Sequence, residues 1–387
     1  AGVNALVRHR PRLTVPTTAL ALLLLALNLP SLFVGQMVDR NLRRDETIPE
    51  YWSEAVEQLD AGDHATRVLE LPGTDFAAYR WGNTVDPITP GLMDRPYVAR
   101  ELIPLGSPVS ANLVNAVDRP LQEGTFEPDA LGPLARLLAA GDVVLRSDLE
   151  YERFRTPRPE ATWELLRAVP GLDEPTGFGE PVENRPRPEL PMVDEVELGT
   201  DPDLADPPPV AVFGVDDAVP IVRALPAARP IIVAGDGDGL VNATAAGLID
   251  PDRAVLYSGD LLGDDALFDQ AVADGAELVV TDTNRRRARR WGTIRENEGY
   301  TEQAGEEPLA YDVGDRRLDL FPEAGDDAKT VSVQDGGASV TATAYGNPVT
   351  YTPGDRATFA MDGDLRTAWK VGAFSEVTGE RLRIDLD

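Results

Sequence analysis

Pro230–Gly239, PIIVAGDGDG, is an apolar run that ends in a glycine-rich turn, and the residues after it, from about Leu240 to Leu248, carry a helical pattern. A short apolar run bounded by such a turn reads as a buried strand. The same alternation continues on both sides. Strands are expected at Val210–Phe213, Ala254–Tyr257 and Glu277–Thr281, and helices at Ala218–Leu225 and Ala266–Ala273. Repeated strand–helix units of this length imply a parallel sheet covered by helices, so the fold class is α/β, with a Rossmann-like sandwich over 210–329.

A glycine-rich turn between strand and helix is a place where phosphate can be cradled. Here the spacing is G-x-G-x-G, no P-loop lysine follows, and Asp236 and Asp238 would repel a phosphate. An EF-hand reading lacks its further ligands and its closing glutamate. A structural turn is therefore the preferred reading of Gly235–Gly239, with cation binding second. Downstream, Thr281–Trp291 (TDTNRRRARRW) sits at a strand's carboxyl end, where open α/β sheets place ligands. Its arginines, from Arg285 to Arg290, either fork onto an anionic glycan or lipid phosphate or pair with carboxylates of an acidic domain. Pairing is the favoured reading.

Towards the amino terminus, residues 155–210 hold many prolines and little packed core is expected there, so 177–209 read as an extended connection between two domains. Before them, 39–176 reads as a membrane-proximal α/β domain. Its elements are a helix opening at Pro49, a strand Arg67–Gly73, a long loop dense in Arg, Asp and aromatic residues from Asp75 to Arg100, a helix Pro128–Leu138 and a strand Gly141–Arg146. That loop is expected to satisfy its own charges rather than contact a ligand directly. Residues 1–12 are expected to form a loop. Leu13–Val38 is uncharged from Pro16 to Gly35, long enough to cross about 30 Å of hydrocarbon, and is expected to be a transmembrane helix. No small-residue cleavage site follows it, so a retained span fits better than a signal peptide. Arginines flank it equally, Arg8, Arg10 and Arg12 against Arg40, Arg43 and Arg44, so charge does not orient it. The chain opens on Ala1 without a Met and is read as a piece of a longer polypeptide.

The net charge is −30, which makes nucleic acid and anionic lipid poor partners for the part outside the membrane. With no cysteine there is no disulfide, no thiol nucleophile and no cysteine-ligated metal. Two histidines, His9 and His64, leave almost no material for a Ser-His-Asp triad or a histidine metal site.

Several stretches point beyond composition. RVLELPGTDF (67–76) with YRWG (79–82), then GLMDRP (91–96), then GDVVLRSDL (141–149) with YER (151–153), together with the Thr281–Trp291 string, resemble the actinobacterial α-(1→3)-arabinofuranosyltransferases of the GT-C type. The resemblance implies that Leu13–Val38 is the last transmembrane helix and that everything after it lies outside the cytoplasm, in a carboxyl-terminal region of a plasma-membrane enzyme. The full enzyme of that family transfers arabinofuranose from a decaprenyl-phosphate donor to cell-wall arabinan. The family's base carboxylate belongs to an early outer loop, so no catalytic residue is expected here and the segment's task would be scaffolding and acceptor binding.

From about Thr330 the pattern turns to β alternation. The string ATFAMDGDLRTAW (357–369) followed by LRIDL (382–386) resembles the first half of a discoidin-type (factor 5/8 C-like) β-sandwich over 330–387. That resemblance implies a structural calcium ion at Asp362 and Asp364, with Thr367 a third position, and makes Trp369 a core residue rather than a sugar platform. The partners implied are the membrane, the arabinan acceptor and a polyprenyl-phosphate sugar donor held elsewhere. The alternative is a membrane-tethered surface protein that binds glycans through its terminal sandwich and has no catalytic activity.

Overall fold

Arg67–Leu71 (β1) is the strand about which the first sheet forms: it pairs in parallel with Tyr97–Val98 (β2) on one side and with Ala140–Arg146 (β3) on the other. The computed structural model describes residues 14–29, 47–100, 107–154, 156–190, 201, 203–261, 265–283, 285–287, 299–303, 329–347, 353–372 and 376–386. The chain divides into two compact units, Ala1–Thr47 with Trp81–Asn83, and the remainder.

In the first unit, Thr14–Asn28 is a helix of 15 residues (α1) whose leucines from Leu20 to Leu27 are exposed. No described helix is long and apolar enough to cross a membrane, and Leu13 and residues 30–38 of the expected span lie outside the described residues.

In the second unit, Glu50–Asp60 (α2) follows Pro49, which has the fixed φ that suits a helix entry. The order of the first sheet is β2-β1-β3-β5-β4, where β4 is Thr176–Phe178 and β5 is Val210–Gly214. Strand β5 runs antiparallel to both β3 and β4, with Val143 opposite Phe213 and Gly177 opposite Ala211. This corrects two expectations. Val210–Gly214 does not open the second sandwich but completes the first sheet, and part of the proline-rich connection is itself a strand. A helix, Pro159–Arg167 (α5), also falls where little core was expected. Pro159 occupies its first turn, which costs no hydrogen bond, and Leu166 is fully buried.

Alternation gives the sheet two covered faces. Leu69, Leu71, Val143, Leu145, Ala211 and Phe213 share a core with two helices, Pro108–Glu123 (α3) and Leu131–Leu137 (α4). Trp52, Ala55, Val56 and Leu59 of α2 are buried, and α2 packs against β5 and β4. The long loop between Asp75 and Arg100 does not satisfy its own charges as expected, because Arg80, Arg95 and Arg100 find partners outside it. Arg95 reaches Asp142 at 2.7 Å and the Leu59 carbonyl at 2.8 Å, and Arg80 forks onto Glu152.

The second sheet is wholly parallel, in the order β8-β6-β7, with Ile231–Ala234 (β6) between Glu277–Val280 (β8) and Val255–Tyr257 (β7). Gly237–Ala245 (α6) follows β6, and Asp265–Ala273 (α7) precedes β8, as the periodicity predicts. The helix expected at Ala218–Leu225 is absent. Pro220 and Pro226 bracket a segment whose Ile221 N–H donates instead to the Ala65 carbonyl. The two sheets share one core: Ile231, Val233, Leu240 and Val241 lie in the same cluster as Leu69 and Val143. Farther on, Ala338–Ala342 (β9) pairs antiparallel with Leu382–Leu386 (β10).

Candidate functional site

The Gly235–Gly239 loop leaves β6 at the carboxyl end of the second sheet, where ligands of open α/β folds bind. Its own side chains already fill that position. Asp236 caps α6, its carboxylate accepting from the Gly239 N–H at 3.2 Å, so an acid sits where a bound anion would meet the helix amino terminus. The glycines serve close packing. A Cβ on Gly239 would stand 2.5 Å from Thr281 Oγ1, and one on Gly237 would stand 2.8 Å from the Asn112 carbonyl. Gly237 N–H donates to Asn112 Oδ1 at 2.6 Å, which ties the loop to α3.

The arginine string folds back onto this loop. Arg287 donates to Asp238 Oδ2 at 2.8 Å and lies 3.5 Å from Asp236 Oδ2, while Arg119 of α3 holds the other oxygen of Asp238. Arg286 pairs with the buried Glu302 at 3.1 Å, and Arg285 with Asp282 at 3.3 Å. The described arginines of the string thus meet carboxylates of the same chain, the reading favoured from sequence. Arg289 and Arg290 lie outside the described residues.

Between α3 and α6 lies a cleft of about 210 Å³. Phe126 forms part of its buried wall, and Arg119, Glu123, Glu127, Asp238 and Asn242 present polar groups to it. No sequence pattern singles out Arg119 or Glu123, because the helix that carries them, α3, is not among the expected elements. Its signals are present: Ser107 accepts from the Ser110 N–H at 3.2 Å, Pro108 fills the first turn, and Gly124 closes the helix at φ 67°.

At the carboxyl end of the first sheet, a second set of charges is locked rather than open. Glu70 on β1 and Arg146 on β3 pair at 3.3 Å with both side chains fully buried. Thr89 donates to Glu70, and Arg146 also donates to the Pro72 carbonyl. Asp148 accepts from both Trp52 Nε1 and Tyr51 Oη at 2.9 Å. Burial and the neighbouring Asp148 raise the Tyr51 pKa. Burial raises Tyr79 too, against the pull of Arg146. On α3, Asp118 accepts from the Gly73 N–H at 2.6 Å, and burial raises its pKa although that bond and Arg100 oppose the rise. Glu150 and Glu152 are held by arginines, Arg153 and Arg187 on the first and Arg80 on the second. These groups fasten the loops after β1 and β3 to each other.

The terminal turn was the expected calcium position. Asp362 Oδ1 accepts from the Asp364 N–H at 2.9 Å, and Asp362 Oδ2 accepts from Thr367 Oγ1 at 2.7 Å. The Asp364 carboxylate is forked by Arg366, at 2.6 Å from Nη2, and this holds its pKa below the ordinary carboxylate value. Calcium takes six to eight oxygens. Among the described residues no three acidic or histidine side chains gather for a metal, and one of the two carboxylates here is turned onto a guanidinium. As placed, the three residues do not fit a calcium ion. Trp369 donates to the Ala344 carbonyl at 2.9 Å and packs against Tyr345 and Val340, so it is part of a small core.

Comparison with known proteins gives this fold a lineage. Residues 3–314 match the family described as alpha-(1->3)-arabinofuranosyltransferase, N-terminal GT-C domain. The chain is 29% identical over 358 residues to an alpha-(1->3)-arabinofuranosyltransferase of Mycolicibacterium smegmatis, covering 88% of this chain and 24% of that protein. It is 28% identical over 352 residues to the protein of that name in Mycobacterium tuberculosis, with the same coverage. The chain therefore spans about a quarter of the length of these relatives. A mycobacterial arabinofuranosyltransferase AftD solved by single-particle cryo-EM shares the fold, with a TM-score of 0.65 at 23% identity over 96% of this chain and 27% of that one. With a match that takes in both α/β sheets and the linking α3 and α6, the chain belongs to the alpha-(1->3)-arabinofuranosyltransferase family.

Proposed function

We propose that this chain is the scaffolding, acceptor-holding portion of a membrane arabinofuranosyltransferase whose full length transfers arabinofuranose from decaprenylphosphoryl-arabinose to cell-wall arabinan. Residues after about 38 face the outside of the plasma membrane. The observation that carries the accessory role is the state of the buried carboxylates. A sugar transfer of this kind needs a carboxylate free to deprotonate the acceptor hydroxyl, whereas Glu70, Glu150, Glu152 and Asp238 are each engaged by an arginine. Asp148 is engaged by Trp52 and Tyr51. The donor's phosphate likewise finds no welcome at the Asp236-capped helix end.

The test uses the full-length enzyme in membranes, with labelled decaprenylphosphoryl-arabinose and a synthetic arabinan oligosaccharide. Asp148→Asn, Glu150→Gln, Glu152→Gln and Asp238→Asn are each expected to change acceptor KM or thermal stability while kcat stays within about tenfold. Loss of a general base costs roughly 10²–10⁴ in rate. A fall of that size in kcat for any one variant, with its thermal midpoint unchanged, would place the chemistry in this chain and end the accessory reading.

A further inference from the structure

The cleft between α3 and α6 has a chemistry of its own. Its buried wall is apolar, formed by Phe126, Val241 and Ala116. Around that wall the side chains of Glu123, Glu127 and Asn242 make no hydrogen bond or ion pair to another described residue, while Arg119 and Asp238 form the bridged pair below them. Carboxylate and amide oxygens therefore face the opening as acceptors, and the Asn242 amide and the Arg119 guanidinium face it as donors.

The charge decides what can enter. Glu123 and Glu127 add negative charge to a rim whose one lining arginine is already paired with Asp238, so a phosphate or sulfate is repelled. A hard cation has no shell to enter, since no three acidic side chains gather there among the described residues. A neutral polyol matches both halves of the lining: hydroxyls for the acceptors and donors at the rim, and a C–H face for the Phe126–Val241 wall. The volume, about 210 Å³, lies below the roughly 300–1,000 Å³ of pockets for drug-sized ligands. It suits one sugar ring.

We propose that this cleft is a subsite for a single neutral sugar ring of a glycan, gripped between α3 and α6. The assignment rests on the acceptor-holding reading above and gives that role a location. Closing a ring between the two helices would couple glycan occupancy to the Asn112–Gly237 contact that joins the two sheets.

The experiment is saturation-transfer NMR on purified full-length enzyme in detergent micelles, with a neutral arabinofuranosyl tetrasaccharide and with arabinose 5-phosphate as probes. The unmodified enzyme is expected to bind the tetrasaccharide and to ignore the phosphate. The double variant Glu123→Ala/Asn242→Ala should weaken tetrasaccharide binding by at least about tenfold, the loss of one or two net hydrogen bonds. Ala245→Leu, which fills the cleft from α6, should abolish the signal from the same ring. Both changes lie on helix surfaces, and an unchanged thermal midpoint certifies folding. If the unmodified enzyme binds the tetrasaccharide and both variants bind it equally well, the subsite is wrong while the acceptor-holding reading stands. If the unmodified enzyme binds no tetrasaccharide, both fall. Preference for arabinose 5-phosphate would overturn the neutral-ligand assignment.

Discussion

Replacing Gly239 by alanine separates the two readings of the glycine loop. The new Cβ would sit 2.5 Å from Thr281 Oγ1 and 2.7 Å from Thr283 Oγ1. Neither hydroxyl is free to swing away, because Thr281 Oγ1 lies 3.0 Å from the Ala234 carbonyl and 2.9 Å from Thr283 Oγ1, and Thr283 Oγ1 accepts from the Asp236 N–H at 3.2 Å. Overpacking of this kind costs about 1–3 kcal/mol, and breaking one of these hydrogen bonds about 1 kcal/mol. Alanine returns up to about 1 kcal/mol through its better helix propensity. The net expectation is a loss of about 1–3 kcal/mol, read by urea unfolding of the whole chain with tryptophan fluorescence, since Trp52 and Trp163 lie in or against the buried core. Gly91→Ala is the control, having no atom within 4 Å of its added Cβ, and should be neutral. In a double-mutant cycle Thr281→Ala should relieve Gly239→Ala by more than about 0.5 kcal/mol. A neutral Gly239→Ala that adds independently to Thr281→Ala would refute the packing account, and loss of a bound phosphate ligand without loss of stability would revive the cradle.

Two further perturbations bear on the locked charges of the first sheet. Glu70→Gln leaves Arg146 charged and fully buried, so it should cost about 3–5 kcal/mol in urea unfolding, and Glu70→Leu combined with Arg146→Met should cost less than that single change. Burial raises the Asp118 carboxyl pKa in the folded chain above its unfolded value, so folding retains a proton that the unfolded chain gives up. Its contribution is then fully present below the unfolded pKa and is lost as pH rises through the folded one. The stability of the unmodified chain minus that of Asp118→Asn should therefore fall as pH rises from about 4, and a difference that grows with pH would show that Gly73 and Arg100 outweigh burial.

Much of the fold was legible because its strands announce themselves. The run at Ile231–Ala234 is apolar throughout, as a parallel strand buried on both faces must be, and the arginine string could be matched to acidic neighbours from charge alone. Proline obscured the rest. Pro159 and Pro108 stand in the first turns of helices that were not among the expected elements, where a missing N–H costs nothing. Pro120 even lies inside α3. The partner of β5 was not readable either, because Val210–Gly214 carries the same apolar pattern whether it opens a new sheet or closes an old one. Register is a tertiary fact.

The same limit explains why the candidate site was hidden although its parts were in view. Asp238 and Arg287 each stand out in the sequence, but on separate grounds, a glycine spacing and a basic run. What joins them is α3, which brings Arg119 to one oxygen of Asp238 while Arg287 takes the other, and which seats Asn112 on Gly237. The helix also contributes Ala116, Val117 and Leu121 to the core shared by both sheets. A helix so placed cannot shift without disturbing both sheets at once. The cleft it borders with α6 is therefore built on rigid elements of both halves, which is where a grip on one sugar ring would hold its geometry best.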